Sequence, residues 1–335
     1  IIFEKDIRKQ TAPASLTKIV TAIVVIENCK NLNEVVTVPE ECIKELSGTG
    51  SSVANLRTGE QITVYDLLCY MMIMSANDAA TTLANYVAGG DRAAFIAKMN
   101  EVASRLGCVN THFTNPHGLS DTEHYSTAQD LATLMAYCMK NETFAKITST
   151  KKFSLDGSDD SYSRLLVNHN RLLGTYDGIT GGKTGYTKNA GRCLVTACER
   201  NGVTLCAVTL NAPDDWNDHK SMYSYGFTLY KRVVLETAGQ FEYTAPVCGG
   251  DKESITAHTR ENASAVIRIN GCDLRRVVYM RRFYYPEIED GDIIGYVNYF
   301  NGDLIIASSA IYADYSVGEA IDDRGFFEKL KDLIN

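Results

Sequence analysis

The stretch Ala12-Pro13-Ala14-Ser15-Leu16-Thr17-Lys18 leads straight into an apolar run, residues 19–26, and this junction sets the reading of the chain on either side. Proline favours the opening of a helix. Ile19, Ile23 and Ile26 recur at helical spacing, which predicts a buried helix starting here. Residues three apart share a helix face, so the Lys18 amine comes within reach of the Ser15 hydroxyl. A serine hydroxyl is a weak nucleophile until a base takes its proton, and a lysine is that base only where burial or neighbouring positive charge lowers its pKa. At the first turn, Ser15 would also sit among backbone N–H groups free to meet developing negative charge. By itself, S-x-x-K reads more often as a serine cap and a solvated lysine, so the decision falls to the rest of the chain.

The 335 residues suffice for two domains, and 45% hydrophobic content is ordinary for a protein with a sizeable core. A net charge of -8 and a pI near 5.4 argue against a nucleic-acid binder, whose footprint is basic. The longest apolar runs, residues 19–26 and 67–74, fall far short of the ~18 residues of a membrane span. No signal peptide is visible in a chain that begins with Ile1, which leaves room for a leader already removed. Ten cysteines invite a disulfide or metal reading. No C-x-x-C occurs, however, and the six histidines include no H-x-x-x-H pair, so neither a metal nor another cofactor is expected. A hairpin turn at Asn201-Gly202 would set Cys198 opposite residue 205 and turn Cys206 to the other face, so these two should not bridge. Most of the cysteines read as small buried hydrophobes.

After the first helix, residues 31–62 are mixed and turn-rich, with Gly48, Gly50 and Gly59. Thr63-x-x-Asp66 resembles a capping box ahead of a helix that runs into Ser75-Ala76-Asn77. Residues 78–87 read as the next helix, closed by Gly89-Gly90, and Asp91 opens another, ended by Gly107. Ser126-x-x-Gln129 reads as a second capping box, for a helix over 127–140. Near residue 150 the character changes. Residues 177–187 lead into a hairpin whose second arm, 203–210, is apolar on both faces and predicts a central strand. A helix is expected over 219–238, and from 241 to 322 the segments are short and strand-like. Two domains follow, 1–240 and a small β-rich 241–335. Residues 326–334 carry an amphipathic pattern with balanced charge, read as a surface helix in preference to a membrane helix.

Ser15-x-x-Lys18, Ser75-x-Asn77 and Lys183-Thr184-Gly185 occur in the order S-x-x-K, S-x-N, K-T-G, with Ala76 where the S-D-N form has Asp. The flanking residues are more specific: P-A-S-L-T-K-I-V-T-A (13–22), S-A-N-D-A-A (75–80), F-T-N-P-H-G-L (113–119), H-Y-S-T-A-Q-D-L (124–131) and G-G-K-T-G-Y-T (181–187). Together they resemble the low-molecular-mass penicillin-binding proteins, and among these the serine D-alanyl-D-alanine carboxypeptidases. The resemblance covers residues 3–240 closely. It covers the tail weakly, as the small C-terminal domain such enzymes often carry. Residues 178–184 also look like a phosphate loop, but Asp177 stands where that motif needs Gly, and a strand follows where it needs a helix.

The resemblance implies an α/β (α+β) DD-peptidase-like transpeptidase domain, a central antiparallel sheet with helices on both sides, followed by a small all-β domain. It implies Ser15 as nucleophile, Lys18 as base, Ser75 as a proton relay to the leaving amine, and Asn77 as a holder of Lys18 and the substrate amide. Lys183 would supply positive charge, the Ser15 and Tyr186 N–H groups an oxyanion hole, and Gly185 close access to the strand. A terminal carboxylate would meet the hydroxyls of Thr184 and Thr187. Being three apart on a strand, these should face opposite ways unless the chain kinks after Gly185, which favours Thr184. Arg171 reaches the site or solvates a loop, and the sequence leaves both open. His117, His124 and His169 read as structural. The implied partners are peptidoglycan stem peptides ending in D-Ala-D-Ala and β-lactams as inhibitors, at the cell wall or the outer face of the cytoplasmic membrane of a bacterium, with room for membrane anchoring through a C-terminal segment not evident in this sequence. A serine β-lactamase is the nearest alternative, but residues 111–115, T-H-F-T-N, lack the glutamate that would drive water onto the acyl-enzyme. A non-catalytic β-lactam sensor that binds cell wall is the other.

Overall fold

Burial, more than propensity, makes the first helix. Valines and threonine are indifferent helix formers, yet α1 (Lys18–Asn28) is regular because residues 18–25 are buried on all sides. Ile19, Val20, Ile23, Val24 and Val25 are at most 2% exposed, each contributing roughly 1.5–3 kcal/mol of transfer free energy. That gain offsets the cost of drawing the Lys18 amine into the same core. The computed structural model describes residues 1–155 and 164–321. In it the α-helix starts at Lys18 and not at Ser15. Residues Ala14–Thr17 form a 3₁₀ turn, because Ala14 adopts a left-handed φ of 49° that an α-helix cannot contain.

The chain divides into two units, residues 1–200 with 204–228, and 201–203 with the chain from Leu229. In the first, β1 (Val35–Thr37) and β2 (Gln61–Thr63) pair antiparallel across α2 (Glu40–Lys44). Thr63 caps α3 (Val64–Ile73) as expected, accepting from the Asp66 N–H at 3.1 Å and donating to its carboxylate at 2.6 Å. Next come α4 (Asn77–Val87) and α5 (Arg92–Arg105), the latter capped by Asp91. For α6 (Ala128–Cys138) the cap is Thr127, not Ser126, whose backbone is engaged with Thr11. A helix not anticipated, α7 (Glu142–Ser149), follows under an Asn141 cap, then the hairpin β3 (Lys152–Leu155) and β4 (Arg164–Val167).

The sheet that carries the third motif is β5 (Ile179–Thr187), β6 (Gly191–Arg200) and β7 (Val203–Thr209), in the order β5-β6-β7. The central strand is therefore the first hairpin arm and not the second. Apolar residues on both faces of β7 did not distinguish it from β6, which is buried throughout its middle. Asn201 and Gly202 both take positive φ, the two-residue turn that matches strand twist. Along β6, Cys193, Val195 and Ala197 join the helical core, while Thr196 turns to α8 (Asp215–Leu229), bonding His219 Nδ1 and Tyr223 Oη at 2.7 Å each. Helices thus cover both faces of this sheet.

The helix expected over 219–238 ends at Leu229. Residues from Tyr230 are β-prone and form β8 (Tyr230–Glu236), which pairs with β11 (Ala263–Arg268) in the second unit. That unit also holds a five-stranded sheet in which β9 (Glu242–Pro246), β10 (Ser254–Thr259), β12 (Leu274–Met280), β13 (Ile293–Asn301) and β14 (Leu304–Ala313) take the order β12-β13-β14-β10-β9. Buried Glu236 accepts from Tyr299 Oη and Arg276 within it. All ten cysteines are free thiols, six of them buried. No helix among the described residues is long and apolar enough to cross a membrane, and residues 326–334 lie outside them.

Candidate active site

The 3₁₀ turn is held from outside itself. Thr17 Oγ1 donates to the Ala14 carbonyl at 2.8 Å, so the 2.7 Å contact with His124 must have Nε2–H donating to Thr17. His124 Nδ1 accepts from the Thr114 N–H, which fixes the same neutral tautomer, and burial lowers its pKa to about 4. This chain of bonds secures the strained Ala14 and with it the position of Ser15. Ser15, near the start of the turn, has an N–H with no acceptor inside the turn.

Lys18 is completely buried, and its Nζ lies 2.9 Å from Ser15 Oγ, 2.6 Å from Asn77 Oδ1 and 2.9 Å from the His117 carbonyl. Desolvation, then the charge of Lys183, pushes its pKa well below the usual lysine range, against an opposing pull from Asp78. The neutral form of this amine can donate to the two carbonyl oxygens and turn its lone pair to the serine hydroxyl. His117 is neutral as well, its pKa lowered to about 3 by burial, and its Nδ1 accepts from the Leu119 N–H.

Ser75 and Asn77 sit where α3 hands over to α4. Ser75 takes a φ of 66°, a left-handed conformation that turns the chain between the two helices. The Asn77 N–H donates to the Ser52 carbonyl at 2.8 Å, and Ser52 Oγ donates to the Met74 carbonyl. Buried Asp78 accepts from the N–H groups of Ala54, Leu56 and Ala79. The segment 52–56 is thereby clamped to the second motif, a role for Asp78 that the sequence reading missed although Asp78 stands directly after Ser75-Ala76-Asn77.

On β5 the glycine of the third motif is a contact requirement. A Cβ on Gly185 would lie 3.2 Å from both the Pro13 carbonyl oxygen and the Ser15 nitrogen. Tyr186 stands opposite Arg192, whose carbonyl accepts from the Ala212 N–H on the far side of β6. Tyr186 is then a non-hydrogen-bonded pair member, and its N–H points out from the free edge of β5. Lys183 is 2% exposed, donates to the Thr184 carbonyl at 2.9 Å, and has its pKa lowered by burial to about 7.

These groups meet at a cleft of about 1090 Å³. Ser15, Ser75, Asn77, Thr184, Gly185, Tyr186, Thr187 and Arg171 all line it, whereas Lys18 and Lys183 lie buried behind its wall. Thr187 Oγ1 accepts from the Ala190 N–H at 3.0 Å and keeps its O–H to donate, as does Thr184. His117 and His169 also line the cleft, so the structural reading of these histidines omits the His117 carbonyl on Lys18. No local pattern announces Arg192, Asp215 and Trp216 on the same wall, because their juxtaposition depends on the β6–α8 packing. No group of three or more His, Cys, Asp or Glu that could hold a metal occurs among the described residues.

A buried serine–lysine pair, a second serine and a K-T-G strand edge on this α/β scaffold are the features of a penicillin-binding serine peptidase. The family profile of the D-alanyl-D-alanine carboxypeptidases, peptidase S11, matches residues 1–214, and the chain belongs to that family of serine hydrolases. It is 29% identical to D-alanyl-D-alanine carboxypeptidase DacF of Bacillus subtilis over 99% of this chain and 85% of that protein. It is 30% identical to DacC of Escherichia coli over 100% and 84%. Among solved structures, penicillin binding protein 5 from Haemophilus influenzae superposes with a TM-score of 0.68 at 27% identity, covering 95% of this chain and 94% of that one. The Streptomyces K15 DD-transpeptidase gives 0.65 at 33% identity over 68% and 92%.

Proposed function

We propose that this protein removes the terminal D-alanine from peptidoglycan stem peptides ending in D-Ala-D-Ala, through an ester on Ser15. The reading rests above all on the fully buried Lys18 amine, bonded at once to Ser15 Oγ, Asn77 Oδ1 and the His117 carbonyl. The neutral amine takes the Ser15 proton as Oγ attacks the penultimate D-alanine carbonyl. Negative charge on that oxygen is met by the Ser15 and Tyr186 N–H groups. The Lys18 ammonium returns a proton, by way of the Ser75 hydroxyl, to the nitrogen of the departing D-alanine. Asn77 Nδ2 orients the substrate amide, and the terminal carboxylate lies at the Thr184 hydroxyl with Arg171 at the cleft wall. Water then enters the space that D-alanine leaves and attacks the ester carbonyl, giving a proton to Lys18, which passes it to Ser15 Oγ as the ester bond breaks and the shortened peptide is released.

A β-lactam is opened by the same attack, but its leaving nitrogen stays tethered and keeps water out. Among the described residues lining the cleft, Asp215 is the one carboxylate, and it is bound to Arg192. Asp78 is saturated by three N–H groups. Neither is free to drive hydrolysis, which favours a long-lived penicilloyl adduct and disfavours the β-lactamase reading. Such a substrate places the enzyme outside the cytoplasmic membrane. The deciding experiment measures D-alanine release from a stem-peptide mimic beside hydrolysis of a chromogenic β-lactam. Steady D-alanine release with a single stoichiometric β-lactam turnover is expected, both lost in Ser15→Ala. Fast β-lactam turnover without D-alanine release would overturn the proposal, and no turnover of either would favour the sensor.

A further inference from the structure

The second unit carries a groove of about 850 Å³ that none of the chemistry above uses. Its floor is the paired strands β12 and β13, where Tyr279 stands directly opposite Tyr296. The neighbouring pair, Val278 and Val297, fixes the orientation. Val297 is buried in the core of the unit, so the tyrosine pair lies on the face turned away from it. Tyr279 and Tyr296 are 50% and 46% exposed. A third ring, that of Tyr285, is more exposed still and stands edge-on to Phe283, with centroids 5.5 Å apart at 90°. The wall that bears Tyr285 is anchored from beneath. Buried Tyr284 donates from Oη to the Ile294 carbonyl at 2.5 Å and accepts from the Arg281 N–H at 3.2 Å, and the Ile288 N–H donates to the Val317 carbonyl at 3.0 Å. The groove is thus shaped before any ligand arrives.

Three exposed tyrosines clustered on one face serve no core, which marks the face for a ligand. An aromatic face is the negative side of the ring quadrupole and attracts polarised C–H bonds, the surface that a pyranose presents with its axial hydrogens. Directly opposed strand residues have Cβ atoms about 4.5–5.5 Å apart, a step that sets successive sugar rings over the two tyrosines. The polar groups beside these rings are unspent. The side chains of Arg281 and Glu287 and the three tyrosine hydroxyls bond to no described residue, and Asp292 gives one oxygen to the Glu289 N–H at 2.9 Å. Donors and acceptors side by side suit hydroxyl and acetamido groups. One cation against two carboxylates disfavours a polyanion such as nucleic acid or an anionic lipid surface. An apolar protein surface would strip water from Arg281 and Glu287 without pairing them, whereas hydroxyls pair with both.

We infer that this groove of the second unit binds an uncharged chain of N-acetylhexosamine residues, stacked on Tyr279 and Tyr296, and so holds the enzyme on the glycan that bears its stem peptides. That role on the polymer rests on the carboxypeptidase reading, while saccharide binding by itself does not. The full chain is titrated with a β-1,4-linked N-acetylglucosamine hexamer by calorimetry, beside D-alanine release from a soluble stem-peptide mimic and from insoluble peptidoglycan. Tyr279→Ala and Tyr296→Ala should each weaken hexamer binding about three- to tenfold, and the double variant more than about tenfold, with thermal melting confirming that all fold. Tyr279→Phe, which keeps the ring, should bind within about twofold of the parent. Binding should persist in about 0.5 M salt, because a neutral chain releases no counterions. The alanine variants should release D-alanine from the soluble mimic at the parental rate and lag on the insoluble polymer. Absence of hexamer binding by the parent, or equal binding by the double variant, would overturn the inference. So would self-association of the parent, lost in the double variant, in place of saccharide binding. Hexamer binding by a parent that releases no D-alanine would uphold the groove and overturn only the carboxypeptidase reading.

Discussion

Lys18 has three oxygen acceptors around one nitrogen, and its chemistry follows from which of them receives a proton. With two taken by N–H donation to Asn77 and His117, only the neutral amine keeps a lone pair for Ser15. Lys18→Arg should therefore abolish penicillin acylation while preserving charge, since a guanidinium stays protonated at any working pH. Near-parental adduct formation by that variant, read by intact mass, would reduce Lys18 to a mere positive charge. The lowered pKa of Lys18 also fixes the sign of the pH dependence. Acylation should rise with pH as Lys18 sheds its proton and then level off. Lys183 holds Lys18 down, so Lys183→Gln should move the rising limb to higher pH in a stopped-flow acylation profile. A limb that stays in place would mean burial alone sets the base.

At the scale of elements, Ser15 lies on a 3₁₀ turn pinned between two others. The carbonyl of Ala14 approaches Gly118 so closely that a Cβ there would stand 1.9 Å from its oxygen, at a φ of 88° that also disfavours a side chain. Gly118→Ala should cost about 1–3 kcal/mol in urea unfolding and, by displacing Ala14, slow acylation of Ser15 by more than tenfold. Unchanged acylation in a folded variant would show that the turn keeps its place without this contact. The same turn marks where the sequence stopped being legible. Helices α3 to α5 were readable from caps and apolar runs, which are local. The left-handed Ala14 depends on Thr17 and His124, 107 residues apart, and no local pattern announces it. The exchange of β6 for β7 as the central strand has a similar cause, since both arms are apolar and neighbours decide which is covered. The motif serines, lysines and asparagine could be singled out because the proposed chemistry demands those residue types. Arg192 and Asp215 were not, because an arginine near the start of a strand and an aspartate at the start of a helix need no special reason.

For the whole molecule, every motif residue belongs to the first unit, and so do three buried histidines that make it sensitive to acid. Burial lowers the pKa of His117 and His219 to about 3 and of His124 to about 4. Below the ordinary histidine value of about 6.5 the unfolded chain binds more protons than the folded one, so stability falls as pH drops. Each histidine contributes a slope of up to about 1.4 kcal/mol per pH unit between 6.5 and its folded value. The melting temperature should accordingly drop steeply between pH 6.5 and 4.5, and less so in His124→Gln. A flat profile would mean these imidazoles protonate without cost. The buried lysines act with the same sign at higher pH, between their lowered values and the usual 10.5. The free cysteines carry a different consequence. Burial raises the thiols of Cys42, Cys198 and Cys206 to about 11 and those of Cys69 and Cys108 to about 12, which leaves almost no thiolate at neutral pH. Cys248 is exposed and Cys272 half-buried, both in the second unit, while half-buried Cys29 of the first unit has its thiol pushed up by burial. A maleimide dye at pH 7 should thus attach quickly at Cys248 and Cys272, mapped by peptide digestion, while penicillin still titrates Ser15. The native protein comes with its own conjugation handles, placed on the unit that holds none of the three motifs.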